Sequence, residues 1–190
     1  MNHVIIDGVD RLGKNSVILE LIKSADNAIL RHFTVPLGNT NKEKIEYQKK
    51  SFLFEFRLAQ LPFKIQEISK TNSDLIIWNR SHIGEKIYGE LYRNYNADWI
   101  YEMEKLFNFD KRDDVFLILL TADPEFAFSK EDGKSLSNTV EERKTEINLF
   151  LDAVKKSNIK NKLILKVNDG NNFLSKHIIN EKIRKFINKE

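Results

Sequence analysis

The 190-residue chain contains no cysteine, which excludes disulfides, cysteine-ligated zinc and thiol nucleophiles together and agrees with a reducing compartment. No apolar run approaches the roughly 20 residues a membrane span needs, so no membrane partner is expected. Asp7, Asp10 and Arg11 interrupt the first apolar run almost at once, so no secretory leader is expected and the expected location is cytoplasmic. Charge of one sign is also scarce. The 31 basic and 28 acidic residues leave a formal +3, too little for a nucleic-acid partner but open to small anionic ligands. Seven glycines and three prolines form no linker-like stretch, and nothing repeats, so residues 1–190 are expected to make a single domain. At this length, with 41% hydrophobic residues, such a domain buries roughly 70% of the surface its unfolded chain exposes.

What is present is an alternation of short β-branched runs with long helical patterns, the mark of βαβ units and a parallel sheet covered on both faces. Five strands are expected, at His3–Asp7, Asn27–Phe33, Asp74–Asn79, Asp114–Thr121 and Lys162–Val167, all apolar enough to be buried on both sides. Phe52, Phe56, Ala59 and Phe63 recur at helical spacing, as do Ile83, Ile87 and Leu91. Further helices are expected over Asp98–Phe109, Val140–Lys156 and Phe173–Asn188. Between two helical patterns lies a polar stretch at about 129–139, SKEDGKSLSN and its flanks, and a loop of that length in a compact domain suggests an active-site lid.

The first strand runs into Gly8-Val-Asp-Arg-Leu-Gly13-Lys14, a phosphate-binding loop followed by a helical pattern. Gly8 and Gly13 let backbone amides turn inward, the helix N-terminus adds partial positive charge, and the Lys14 ammonium can reach the outer phosphates. Asn15 stands where a Ser or Thr usually coordinates Mg²⁺, offering a neutral carboxamide oxygen instead, while Ser16 is placed to bond an inner phosphate.

The wording GVDRLGK resembles the thymidylate kinase family, and LIIWNRSHIGEKIYGELYR resembles that family's Asp-Arg motif followed by a helix with a tyrosine, most like the phage-type deoxynucleoside monophosphate kinases. FLFEFRLAQLP is similar to its substrate helix, and Lys130–Asn138 falls where it keeps a lid. The resemblance implies a three-layer P-loop fold with a short lid, ATP and Mg²⁺ as cofactors, and transfer of the γ-phosphate to dTMP or another deoxynucleoside monophosphate. It implies that Gly8, Gly13, Lys14, Asn15 and Ser16 hold ATP, with Lys130 or Lys134 as the lid cation. Asp10 would bind the sugar 3′-hydroxyl, Arg11 the transferring phosphoryl group and Arg80 the acceptor phosphate. Phe54 would stack on the base, with Arg57, Glu85, Tyr88 and Arg143 completing the acceptor site and Tyr88 disfavouring a 2′-hydroxyl. Lys14, Arg11 and Arg80 would carry the catalysis. A homodimer is one assembly that the resemblance implies, and a host's cytoplasm would be the location if the gene is a phage's.

The sequence departs from the family at two metal-side positions. Asn79 stands where the family has an aspartate, so Asn15 and Asn79 are two weak metal ligands in place of a hydroxyl and a carboxylate. Two other readings stay open: a deoxynucleoside kinase with Glu85 or Asp7 as base, and a degenerate nucleotide-binding protein without turnover.

Overall fold

In the computed structural model, which describes residues 2–33, 35–60, 75–133 and 135–189 and the side chains of all of these but 58–60, the apolar runs form one five-stranded parallel sheet. Its strands are β1 (Asn2–Asp7), β2 (Ala28–His32), β3 (Leu75–Asn79), β4 (Val115–Thr121) and β5 (Asn161–Lys166), in the order β2-β3-β1-β4-β5. The central strands are the most apolar: Val4, Ile5 and Ile6 of β1 and Val115, Leu117 and Ile118 of β4 are fully buried. Each such side chain contributes about 1.5–3 kcal/mol of burial, so the middle of the sheet is the rigid mount for whatever its ends carry.

Helices cover both faces in three layers. They are α1 (Lys14–Lys23), α2 (Asn41–Gln60), α3 (His82–Arg93), α4 (Trp99–Leu106), α5 (Pro124–Ser129), α6 (Val140–Lys156) and α7 (Lys176–Asn188). Helix α1 packs with α7, and α3 packs with α6 on the opposite face. Local chemistry sets the starts: Ser81 accepts from Ile83 N, Thr139 from Glu142 N and Ser175 from Ile178 N. Thr40 and Glu43 form a reciprocal capping box at the start of α2. Phe52 and Phe56 seat α2 against Trp78, His82 and Phe109, with Phe56 5.3 Å from both the Trp78 and His82 rings. His82 Nε2 lies 2.8 Å from Glu104, both fully buried, and Ser157 Oγ donates to the same carboxylate at 2.6 Å.

The last helix begins at Lys176 rather than Phe173, because β6 (Asn168–Asp169) and β7 (Asn172–Phe173) form a small hairpin through Gly170 before Ser175 caps the helix. No helix among the described residues is long and apolar enough to cross a membrane.

The connection leaving β1 goes to the β2 edge, whereas that leaving β3 crosses to β4. A crevice therefore opens at the carboxyl ends of β1 and β3, where open parallel sheets place ligands.

Candidate active site

Strand β1 ends in Asp7, whose fully buried carboxylate accepts from Gly8 N at 3.0 Å, Ser81 Oγ at 3.1 Å and Gly84 N at 2.9 Å. It thereby ties the loop after β1 to the loop after β3. Burial pushes its pKa up, against the pull of Lys14 and the two backbone donors. Gly8 is required here: at φ +135° it passes so close to β4 that a Cβ would meet Leu120 O at 2.2 Å. The loop ends at Gly13, left-handed at φ 80°, from which α1 starts.

Two non-glycine residues of the crevice also adopt left-handed backbone, and both are arginines: Arg11 at φ 69° and Arg80 at φ 64°. Such a conformation costs on the order of 1–2 kcal/mol each. Arg80 is held in it by its N–H to Ile6 O at 2.9 Å and by the helix cap at the next residue. Its side chain then reaches back to donate to Asp10 Oδ1 at 2.5 Å.

Lys14 folds under the loop and donates to Gly8 O and Val9 O, both at 2.7 Å, with Asp10 Oδ1 3.7 Å away. Burial lowers its pKa while the charge of Asp10 raises it, so an anion bound alongside would favour the ammonium. Arg11 reaches across to Asp132 at 2.7 Å, joining the loop after β1 to the stretch between α5 and α6.

Two cavities open here. One, of about 420 Å³, is lined by Arg11, Lys14, Asn15, Ser16 and Asn79. The other, of about 360 Å³, is lined by Phe33, Gln48, Phe52, Glu85, Tyr88 and Leu136. Asp10 and Arg80 line both. The wall between the cavities is an ion pair.

In the second cavity Glu85 is held by Arg93 at 2.6 Å and by the Tyr95 hydroxyl. Burial raises its pKa and these donors oppose the rise. Burial, followed by the nearby Glu146 charge, keeps the Tyr88 phenol protonated far above its usual range.

Asn79 Nδ2 donates to Asn15 Oδ1 at 2.9 Å, and Asn79 Oδ1 is buried without a partner. The oxygen that Asn15 would offer a metal is therefore engaged. No group of three His, Asp or Glu side chains that could hold a metal ion exists among the described residues, so this neutral, mutually engaged pair lacks the charged ligands that direct ligation of Mg²⁺ takes.

The structure thus brings together Asp10, Arg11, Gly13, Lys14, Asn15, Ser16, Asn79, Arg80, Glu85 and Tyr88. Gly8 lines neither cavity and instead supplies a carbonyl to the Lys14 ammonium, and four others are not brought in. Phe54, expected to stack on a base, is 62% exposed on the outer side of α2, and Phe52, two residues earlier, lines the cavity instead. Arg57 is exposed and lines neither cavity. Arg143 is fully buried between Glu131 and Glu146, which saturate its charge. Lys130 stacks over Phe126 at 4.7 Å, outside both cavities. Lys134 and Pro62 lie outside the described residues.

Sequence reasoning missed Gln48, Arg93, Asp132 and Glu146. Phe52 was legible, since it shares the inward stripe with Phe56 at i, i+4. The Arg11–Asp132 pair is set by a tertiary contact and leaves no local signal, whereas Glu146 has one in its i,i+3 spacing from Arg143.

No protein-family model and no curated protein matches the chain. Solved structures do. A thymidylate kinase from Candida albicans superposes with a TM-score of 0.64 at 15% identity, over 99% of this chain and 91% of the other. The YorR protein of Bacillus subtilis, in complex with phosphorylated GDP, gives a TM-score of 0.64 at 13% identity, over 99% and 96%. At such identity the likeness is one of fold, and the chain has a three-layer α/β P-loop architecture.

Proposed function

We propose that the protein is a nucleoside monophosphate kinase that transfers the γ-phosphoryl group of ATP to a deoxynucleoside monophosphate, dTMP first among the candidates. One observation carries the reading: a phosphate-loop cavity and an apolar-walled cavity share a wall made of Asp10 and Arg80, the arrangement in-line transfer between two nucleotides requires. That one structural neighbour is a thymidylate kinase of broad substrate specificity, and that YorR carries phosphorylated GDP, supports the class.

In this mechanism ATP lies with its phosphates over the loop, and Lys14 leaves Gly8 O and Val9 O for their oxygens. Arg80 exchanges Asp10 for the acceptor phosphate, and the freed Asp10 accepts from the sugar 3′-hydroxyl. Arg11 exchanges Asp132 for the phosphoryl group in flight. An oxygen of the acceptor phosphate attacks the γ-phosphorus, a new P–O bond forms, the bond to the β–γ bridging oxygen breaks, and ADP leaves. Tyr88 walls the sugar and Phe52 the base. The stretch around Leu136 and Asp132 acts as the lid.

A deoxynucleoside kinase would need a free carboxylate as base. Asp7 and Glu85 are both engaged by two or more donors, which favours the monophosphate reading. The test is a panel of deoxynucleoside monophosphates and thymidine with ATP and Mg²⁺, read as nucleotide products. Diphosphate from dTMP or another monophosphate is expected; thymidine monophosphate as the sole product would contradict the reading.

A further inference from the structure

Most sites that hold a nucleoside triphosphate with Mg²⁺ place a carboxylate near the metal. That charge does two things. It attracts the hydrated cation, and it repels a bare polyphosphate, so both effects make nucleotide binding depend on the metal. Among the described residues the crevice has no carboxylate free to do either. Asp7 is fully buried with three donors on it, and Asp10 is committed to Arg80 with Lys14 beside it. Glu85 is held by Arg93 and Tyr95, and Glu146, whose charge acts on Lys14, is held by Arg143 and Ser137.

At the two positions nearest the loop stand amides that bond to each other. Asn79 closes β3, in register with Ile6 of β1, and is only 8% exposed; Asn15 lies in the first turn of α1. Their 2.9 Å hydrogen bond ties the end of β3 directly to the start of α1. The remaining Asn79 Oδ1 is a neutral acceptor without a partner. Against these amides the same cavity presents Arg11, Lys14 and Arg80.

We infer that the Asn15–Asn79 clamp makes this a metal-tolerant nucleotide site: Lys14 and Arg11 face the phosphates while Arg80 stays on Asp10, and neutral amides stand where an acidic metal ligand would repel them, so ATP binds about as tightly without Mg²⁺ as with it. The inference rests on the reading of the loop cavity as the ATP site and adds to it the ionic form of the ligand that the cavity takes. It concerns binding only; Mg²⁺ can still be required for turnover.

The test is calorimetric titration of the full chain with ATP in excess EDTA and again in excess Mg²⁺. The expected dissociation constants agree within about threefold; a preference for the magnesium complex above about tenfold would overturn the inference while leaving the ATP site in place. Failure to bind in both buffers would instead remove the site itself, and the inference with it. Asn15→Asp is the sharper arm, because residue 15 is exposed and the new carboxylate can still accept from Asn79 Nδ2. It should weaken metal-free binding by about tenfold or more and open a gap between the two buffers. An unchanged ratio in a variant of unchanged melting temperature would show that charge at this position does not set metal dependence.

Discussion

The charged groups of the crevice and those of the helical layer behind it are paired in different ways. In the crevice, Arg11 with Asp132 and Arg80 with Asp10 are partly exposed, and Lys14 rests on backbone carbonyls. Behind it, Arg143 lies between Glu131 and Glu146 with no exposure of its own. A partly solvated pair is worth little and exchanges readily, whereas removing one partner of a buried pair leaves an uncompensated charge. The first arrangement suits a site whose cations must change partners during a cycle. The second suits the frame that holds it.

If that contrast is right, mutations should separate cleanly between activity and stability. The largest effect is expected from Lys14→Ala, which should cut kcat/KM for ATP and dTMP by about a thousandfold or more, measured by diphosphate formation. A loss below tenfold would place Lys14 among the structural charges. Next, Arg143→Met should cost about 3–5 kcal/mol in a denaturant titration, because Glu131 and Glu146 lose their common cation. A variant of normal stability with lost activity would move Arg143 into the site.

A third test uses the other end of the sheet. The His3 ring is fully buried 3.6 Å from Asp114, with no hydrogen bond on either nitrogen. Burial, then the charge of Arg112, lowers its pKa from 6.5 to about 4 despite the attraction of Asp114. The unfolded chain therefore takes up this proton first as pH falls. The contribution is complete above pH 6.5 and lost on descending to about 4, up to about 3 kcal/mol, and His3→Phe should flatten that part of the stability profile in urea titrations. Equal slopes in wild type and variant would contradict the assignment. The smallest effect is expected from Asp132→Asn, which frees Arg11 from an exposed partner and should tighten ATP binding by a few-fold at most. Weaker binding would mean that Asp132 positions Arg11 rather than competing for it.

The contrast also explains what the sequence disclosed. The five strands and the loop after β1 are written in local patterns, namely apolar runs and a glycine spacing at a strand end, and they appear within a residue or two of the expected bounds. Asp10, Lys14 and Arg80 were legible for the same reason, since each sits at a fixed offset from a strand end. Phe54 was misplaced because motif offset was followed over helical period: Phe52 and Phe56 share the inward stripe and Phe54 faces away. Arg143 and Lys130 could not be placed, because each has one local partner, Glu146 three residues on and Phe126 four residues back, while the second, Glu131 for one and Phe173 for the other, arrives only through packing. The Asn15–Asn79 bond spans 64 residues of sequence; the two amides were visible singly, but not that they satisfy each other.

The central claim is that the two cavities meeting at Asp10 and Arg80 hold two nucleotides end to end. A dinucleotide joining adenosine to thymidine through a chain of phosphates tests it directly by calorimetry. It should bind at least about 100-fold more tightly than ATP alone, and Arg80→Ala should abolish most of that gain. A bisubstrate affinity no better than that of ATP, unchanged by Arg80→Ala, would show that the cavities do not work as one site.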